Sequence, residues 1–369
     1  MTLTKRGTVV AVAVFTALAL FTAACSSNAD DKTDTGGGTG TTSAGGDYDY
    51  ESLSGTLNGS GATFPQAFYQ DAIQAFSDVA SGVTVNYGGG GSGKGKTDLA
   101  SQVVQWAGSD SLIKDADLPT FKGGQVLYFP TVAAPITVSY NLSGVKDLQL
   151  SPDTLAGIFQ AKITTWDDAA IKADNPDATL PSTPIVVVHR SDGSGTTNNF
   201  TNYLKAAAPS TWTLDAGDTV NWPTSTQAGN GNAGVAQAIT AANGAIGYVD
   251  LSDATASKLT FASIKNKDGQ FVAPTLAGAT AALTSVDVKP NLTYSALNAS
   301  GADAYPITAG TYIIVYAKQT DAGIAAALKG WINFVLTEGQ TLAADADFAS
   351  LPTSLQQKAL AQLSQITTG

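Results

Sequence analysis

The residues best suited to chemistry lie together where a buried strand is predicted to meet a helix. Residues 185–188 form a β-branched run typical of a buried strand, and apolar residues at helical spacing follow from Phe200. The turn between them carries Arg190, Ser194 and Thr196. Amides at a helix N-terminus attract anions, hydroxyls add donors, and a guanidinium offers a planar two-pronged fork. The segment predicts a site for a tetrahedral oxyanion, although a single turn of this kind also fits an ordinary capped helix.

A second turn of the same type lies near the start of the folded part. A short strand from Thr56 leads into a glycine-rich turn. A helix is predicted from Pro65 to about Val79, with proline in its first turn. Thr63 and the amide of Phe64 are therefore expected at a helix N-terminus, where they can serve the same anion.

A third turn, residues 88–97, follows a predicted strand at 83–87 and precedes a helix predicted to extend to about Trp106. Gly90 to Thr97 matches the nucleotide-binding pattern G-x-x-x-x-G-K-S/T, so an ATPase is an alternative. However, a loop with so many glycines matches many glycine patterns by chance. The compartments outside the cytoplasm, to which exported proteins are sent, also generally lack ATP. We interpret the loop as a set of backbone amide donors that bind the same anion together with the Ser92 hydroxyl.

The first residues are typical of an export signal. Residues 1–24 combine Lys5 and Arg6 with an apolar run and then small residues directly before Cys25. The apolar run is too short to span a membrane comfortably. Residues 25–52, rich in Gly, Thr, Ser and Asp, are predicted to be a flexible linker.

Composition excludes several classes of function. Removing the signal leaves 17 of the 19 basic residues against all 30 acidic ones, a net charge of −13, which argues against nucleic acid and anionic membranes as partners. One cysteine excludes a disulfide framework, and one cysteine with one histidine excludes ordinary zinc sites, so no metal is predicted.

The order of predicted elements indicates an α/β fold. Strands alternate with helices, which favours largely parallel sheets, and residues 165–171 are among the short helices predicted. Two long apolar segments, 132–140 and 305–316, are interpreted as strands that cross between two lobes. We expect one lobe at 53–131 with 305–369 and the other at 132–304, in keeping with a chain of 369 residues.

From about Leu53 to its end, the chain resembles the phosphate-binding lipoprotein subunit of the Pst-type ABC importer. Four motifs carry the resemblance, in this order: GSGATFP at 59–65, GSD at 108–110, WDD at 166–168 and RSDGSGT at 190–196. The resemblance implies a type II periplasmic binding protein fold, in which two hinged α/β lobes close over one phosphate. It implies ligand contacts from Thr63, the Phe64 amide, Ser92, Asp110, Arg190, Ser194, the Gly195 amide and Thr196, with Asp192 holding Arg190.

The resemblance also implies a location and partners. Cys25 after Ala23-Ala24 is similar to a lipobox, in which the cysteine is lipidated and becomes the new N-terminus on the outer face of the cytoplasmic membrane. The partners would be permease subunits with a cytoplasmic ATPase. The expected protein is a monomer and not an enzyme, with inorganic phosphate as ligand and no cofactor.

Three alternatives remain open at this point. Sulfate or another oxyanion would suit the same architecture, and a surface adhesin would not need three anion-type turns. An exported hydrolase could use Ser194 as nucleophile with His189 as base. His189 is the only histidine, however, and as a strand neighbour of Arg190 it points to the opposite face, which disfavours a Ser-His-Asp arrangement.

Overall fold

The computed structural model describes residues 48–369, so the predicted signal, Cys25 and most of the predicted linker lie outside the described residues. The strands are β1 Gly55–Gly61, β2 Val83–Gly89, β3 Trp106–Ser109, β4 Val126–Asn141, β5 Gln149–Leu150, β6 Val186–Arg190, β7 Gln227–Gly229, β8 Ala245–Asp250, β9 Thr260–Phe261, β10 Ser263–Lys265, β11 Phe271–Val272, β12 Ala296–Leu297, β13 Ile307–Tyr316, β14 Lys318–Gln319, β15 Ala349–Ser350 and β16 Thr367–Thr368.

The helices alternate with the strands along the chain. They are α1 Gln66–Val79, α2 Ser92–Ala100, α3 Pro152–Phe159, α4 Ala169–Asp174, α5 Gly195–Ala207, α6 Gly231–Ala241, α7 Leu251–Ala256, α8 Leu276–Leu283, α9 Ala322–Leu336 and α10 Thr353–Gln362, with 3-10 helices at Asp115–Thr120, Glu338–Leu342 and Leu363–Gln365. Within residues 48–369, no helix has the length and apolar character needed to cross a membrane.

The main sheet has the strand order β2-β1-β3-β13-β4-β8-β6-β7. Its two ends are parallel, since β1 pairs in parallel with β2 and β3, and β6 with β7 and β8. Its centre is antiparallel, because β4 pairs in that sense with β13 and β8. The prediction of largely parallel sheets is therefore wrong at the centre, where β4 and β13 run in opposite directions beside each other. The α/β fold itself is confirmed.

Strand β4 joins the two lobes. Residues 126–135 of β4 pair with β13, and residues 136–141 pair with β8. The strands therefore form two groups, β1, β2, β3 and β13 on one side and β6, β7 and β8 on the other, which is a two-lobe α/β arrangement. The lobe bounds predicted from the sequence, at 131/132 and 304/305, stay a prediction.

The helix predicted to reach Trp106 ends at Ala100, and the GSD motif at 108–110 begins inside strand β3. The reason is burial: the Trp106 ring is fully buried, stacks on Tyr87 at 4.8 Å and packs against Trp331 at 5.8 Å. An extended backbone at this position lets β3 pair with both β1 and β13.

The short helix predicted at 165–171 also begins later, at Ala169. Asp168 is its N-cap, because its carboxylate accepts a hydrogen bond from the Ala170 amide at 2.8 Å. Thr165 instead forms an isolated bridge with Pro184. The spacing of apolar residues alone therefore predicts a helix start that is too early. The helix begins where the capping residue Asp168 lies within the apolar pattern.

Candidate functional site

Four helices begin directly after the carboxyl ends of parallel strands. Helix α1 follows β1, α2 follows β2, α5 follows β6, and α6 follows β7. This edge of an open α/β sheet is where ligands bind. In the described chain α1, α2 and α6 start without a side-chain cap, whereas at α5 the Ser194 hydroxyl oxygen accepts a hydrogen bond from the Thr197 amide at 3.1 Å. A helix end without a side-chain cap can offer backbone donors to an anion, although the first amide of α6, that of Gly231, already donates to Asp192 Oδ1 at 3.0 Å.

The turns of the two lobes touch each other across the cleft. The Gly93 amide donates to the carbonyl of Gly193 at 2.9 Å, and the Asn232 amide donates to Oγ1 of Thr63 at 3.2 Å. The Phe64 ring is buried against Phe348, with centroids 5.7 Å apart, which fixes the first turn of α1. The predicted donor turns are therefore brought together at one place.

Arg190 is held in a single orientation at the end of β6. Its Nε and Nη2 donate to the two carboxylate oxygens of Asp192 at 2.8 and 2.5 Å. Its Nη1 donates to Thr196 Oγ1 at 3.3 Å and to Asn232 Oδ1 at 3.0 Å. The side chain is only 1% exposed. Burial by itself raises the pKa of Asp192, but the hydrogen bonds and charge of Arg190 outweigh it and hold that pKa below its usual value.

Asp110 lies directly after β3, on the other side of the cleft. Its amide donates to Ser92 Oγ at 3.1 Å, and the Ser92 hydroxyl lies 3.4 Å from its Oδ2. Its Oδ1 accepts a hydrogen bond from the Thr311 hydroxyl at 2.8 Å. Burial raises the pKa of Asp110 to about 7, against the lowering effects of the Thr311 bond and the charge of Arg190. The carboxyl group can therefore lose or hold a proton near neutral pH.

Two glycines allow the loops to approach this closely. A Cβ on Gly195 would overlap Ser92 Oγ and Asp110 Oδ2. Gly91 has a φ of +90°, and a Cβ on it would overlap Asp192 Oδ2. The contact between the two lobes thus depends on the absence of side chains at these positions.

Comparison with known proteins agrees with this geometry. The family model of the PBP superfamily domain matches residues 29–338. The chain is 39% identical over 304 residues to the phosphate-binding protein PstS of Methanocaldococcus jannaschii, covering 76% of this chain and 78% of that one. It is 34% identical over 359 residues to PstS 3 of Mycobacterium tuberculosis, covering 94% of this chain and 95% of that one. The chain belongs to the PstS family of the PBP superfamily.

A solved structure extends the family likeness to the fold. It is a high-affinity periplasmic phosphate-binding protein bound with phosphate, which superposes with a TM-score of 0.71 at 26% identity. The match covers 84% of this chain and 94% of that one. The two-lobe fold expected from the sequence is therefore confirmed.

The glycine loop of this PstS-family chain does not have the geometry of a nucleotide site. Helix α2 begins at Ser92, so six of the eight residues of the Gly90–Thr97 pattern are helical instead of forming a cradle. The Lys96 ammonium group donates to Asp218 Oδ2 at 2.6 Å and to Ser111 Oγ at 2.8 Å. With its lysine committed to these partners, the pattern is no evidence for an ATPase.

His189 also takes the position that strand alternation predicts. Its ring stacks on Trp222 with centroids 5.0 Å apart, and its Nδ1 lies 2.9 Å from the Arg190 carbonyl. Burial lowers the pKa of His189. The hydroxyl of Ser194 caps α5, so within the described residues these two side chains do not form a nucleophile and base pair. Residues 48–369 also contain no cluster of three or more His, Cys, Asp or Glu placed to hold a metal.

Three polar residues of the site were not predicted from the sequence. Asn232 links Arg190 to the α6 N-terminus, and its signal was a strand, glycine and helix pattern at 227–241. Asn199 donates to the carbonyls of Asp110 and Gly195 at 2.6 and 2.9 Å. Thr311 contacts Asp110 from a strand 201 residues away, and no local pattern marks it.

The raised pKa of Asp110 predicts a pH-dependent stability of the ligand-free protein. A carboxyl with its folded pKa near 7 and an unfolded pKa near 4 stabilises the fold at acid pH and loses that contribution as the pH rises to about 7. Asp110→Asn should remove this dependence and raise the free energy of unfolding at pH 8 by roughly 1–4 kcal/mol. Urea unfolding of both proteins at pH 5 and 8 measures it. An equal pH dependence in the two proteins would contradict the burial argument.

Proposed function

We propose that the protein binds inorganic phosphate outside the cytoplasmic membrane, delivers it to an ABC importer and is not an enzyme. The observation that carries this proposal is the convergence of four strand-to-helix turns on one buried arginine and one buried aspartate. A buried dianion is costly unless each of its oxygens is hydrogen-bonded, so a site with many donors is what phosphate requires. The proposed ligand contacts are Thr63, the Phe64 amide, Ser92, Asp110, Arg190, Ser194, the Gly195 amide and Thr196, with Asp192 as the partner of Arg190.

Phosphate suits the site better than sulfate because of Asp110. A carboxylate beside an anion is repulsive unless a proton lies between them. Phosphate near neutral pH keeps at least one proton and can donate it, whereas sulfate is fully ionised. Asp110 is buried and its Oδ1 already accepts a hydrogen bond from the Thr311 hydroxyl, which supports an acceptor role for this carboxylate.

Two substitutions in α2 test the assignment of the binding loop. Ser92→Ala should weaken phosphate binding by ~1–3 kcal/mol, because a buried oxygen loses a donor. Lys96→Ala should weaken it only modestly, since Lys96 binds Asp218 and Ser111. Equilibrium dialysis against radiolabelled phosphate measures both, with ATP as a second ligand. Saturable ATP binding that Lys96→Ala abolishes would overturn the assignment.

Closure of the two lobes would complete the site, with lobe 53–131 and 305–369 moving against lobe 132–304. Contacts across the cleft support this idea, among them the Lys96–Asp218 ion pair at 2.6 Å, whose two side chains are each 14% exposed. Closure excludes water and orders the donors around the ligand. We expect a monomer that docks on permease subunits served by a cytoplasmic ATPase.

We further propose that residues 1–24 are a lipoprotein signal and that Cys25 carries the lipid that anchors the protein to the outer face of the membrane. Both lie outside the described residues, so the proposal rests on the lone cysteine after Ala23-Ala24. Cys25→Ala should yield an unlipidated protein that still binds phosphate. Mass spectrometry of the N-terminal peptide tests this. Wild-type protein in the soluble fraction, with no lipid mass on that peptide, would contradict it.

A further inference from the structure

Thr311 lies where the pairing of strand β13 with strand β4 is irregular. The register of β13 against β4 shifts between Gly310 and Tyr312, where Thr311 alone lies opposite Thr131 and Val132, so the extra residue of the β-bulge belongs to β4. On its other edge Tyr312 pairs with Ser109, the last residue of β3. Bulges re-aim side chains and are frequent beside functional sites. Here the bulge places the buried Thr311 hydroxyl 2.8 Å from Oδ1 of Asp110.

We propose that Thr311 is a specificity-determining positioning residue, which donates to Oδ1 of Asp110 and so keeps Oδ2 as the oxygen that receives a proton from phosphate. A threonine hydroxyl has a single proton, and this one is used on Oδ1. Oδ2 lies on the side of Ser92 and Gly195, where the anion donors converge. The inference rests on the proposed function, because it assumes that Asp110 accepts the ligand's proton.

The charged groups around Asp110 have opposite effects on its pKa. The hydrogen bond from Thr311 therefore has a large influence on that pKa. Arg190 on the facing lobe stabilises the ionised carboxylate, while Asp218 destabilises it. Asp218 is itself paired with Lys96 at 2.6 Å. Among the effects that lower the pKa of Asp110, the bond from Thr311 is the largest.

The remaining titratable groups near Asp110 are the phenols of two tyrosines. Tyr69 on α1 and Tyr87 on β2 are neutral at neutral pH, because burial raises the pKa of each phenol. Thr131 on β4 is buried one strand away and donates to the backbone carbonyl of Thr311 at 3.4 Å. Thr131 is therefore a matched control. It is also a buried threonine, but its hydroxyl bonds to the Thr311 carbonyl and the Tyr69 hydroxyl and not to the Asp110 carboxylate.

Removing the Thr311 hydroxyl should let Asp110 hold its proton at higher pH and donate it to sulfate. In wild type, sulfate affinity should rise only as the pH falls below about 7. In Thr311→Val this rise should begin about one pH unit higher, so that the phosphate-to-sulfate affinity ratio at pH 7.5 falls by roughly tenfold. Thr311→Ser should restore the wild-type profile, and Thr131→Val should not move it. Calorimetric titrations of both anions from pH 6 to 9 measure these profiles.

Thr311→Ala is tested in parallel because, unlike Thr311→Val, it removes the hydroxyl without putting a methyl group in its place beside the bulge. A purely structural role would lower both affinities together and leave the sulfate profile in place in the Val and Ala variants, which would overturn the inference. Asp110→Asn distinguishes a failure of the inference about Thr311 from a failure of the proposed acceptor role of Asp110. If Asp110→Asn lowers the phosphate-to-sulfate affinity ratio while the Thr311 variants do not shift the pH profile of sulfate affinity, the inference alone fails. If it leaves the ratio unchanged, the acceptor role of Asp110 fails and the inference fails with it.

Discussion

Arg190→Met should abolish phosphate binding at micromolar ligand concentrations. The substitution removes the one guanidinium of the site and leaves Asp192, which accepts from Arg190 at 2.8 and 2.5 Å, as an unpaired partly buried carboxylate. Truncating one partner of a buried, hydrogen-bonded charge pair typically costs about 3–5 kcal/mol of binding free energy. The expected loss of affinity is therefore roughly 10²–10⁴-fold. Calorimetric titration with phosphate up to millimolar concentrations measures it.

The matched control is Lys94→Met, which removes the same charge from an exposed pair. Lys94 lies 2.6 Å from Asp98, and its side chain is 54% exposed. Exposed pairs contribute little, so phosphate affinity should stay within a few-fold of wild type. If Arg190→Met bound phosphate as well as Lys94→Met does, the charge in the site would have been assigned to the wrong residue.

Asp110→Asn should narrow the preference for phosphate over sulfate. With the carboxylate present, bound sulfate puts two negative oxygens together in a dry site, whereas an amide can donate to either anion. A site built around one hydrogen bond rejects an analogue that lacks the group by ~10⁴–10⁵-fold, which is the upper limit of the change expected. Titrating both anions into wild type and Asp110→Asn at pH 7.5 measures the ratio.

The competing view is that Asp110 only caps the turn that follows β3. In that case the substitution would lower stability slightly and leave the affinity ratio unchanged. The structure gives this turn another cap: the Ser109 hydroxyl donates to the Ser111 carbonyl at 2.6 Å, and the Ser111 amide lies 3.3 Å from the same hydroxyl oxygen. Asp110 is thus free to use its carboxylate on Thr311 and toward the cleft.

The parts of the site that were predictable are those coded locally. Strand, turn and helix follow one another within 185–207, so the positions of Arg190 and Ser194 could be expected from spacing and dipole arguments. The same reasoning located Thr63 and Ser92. The tertiary contact between these turns was implied by the family resemblance and not by local pattern.

The parts that were missed depend on distant packing. Trp106 was placed at a helix end because the preceding residues are helical, but its buried stack on Tyr87 requires a strand. Thr311 lies in an apolar strand, nothing in the sequence marks the bulge of the facing strand β4, and the contact of Thr311 with Asp110 depends on β3 lying alongside. The central antiparallel pairing of β4 with β13 joins segments more than 170 residues apart, beyond any local signal.

The central claim, a single phosphate bound between the lobes, is tested most directly by calorimetry on the chain lacking residues 1–25. Phosphate, sulfate and ATP are each titrated into the protein at pH 7.5 after exhaustive dialysis to remove bound anions. The account predicts one saturable site for phosphate, with weaker binding of sulfate than of phosphate and no heat of binding from ATP. Equal affinity for sulfate and phosphate, or tighter binding of ATP than of phosphate, would contradict it.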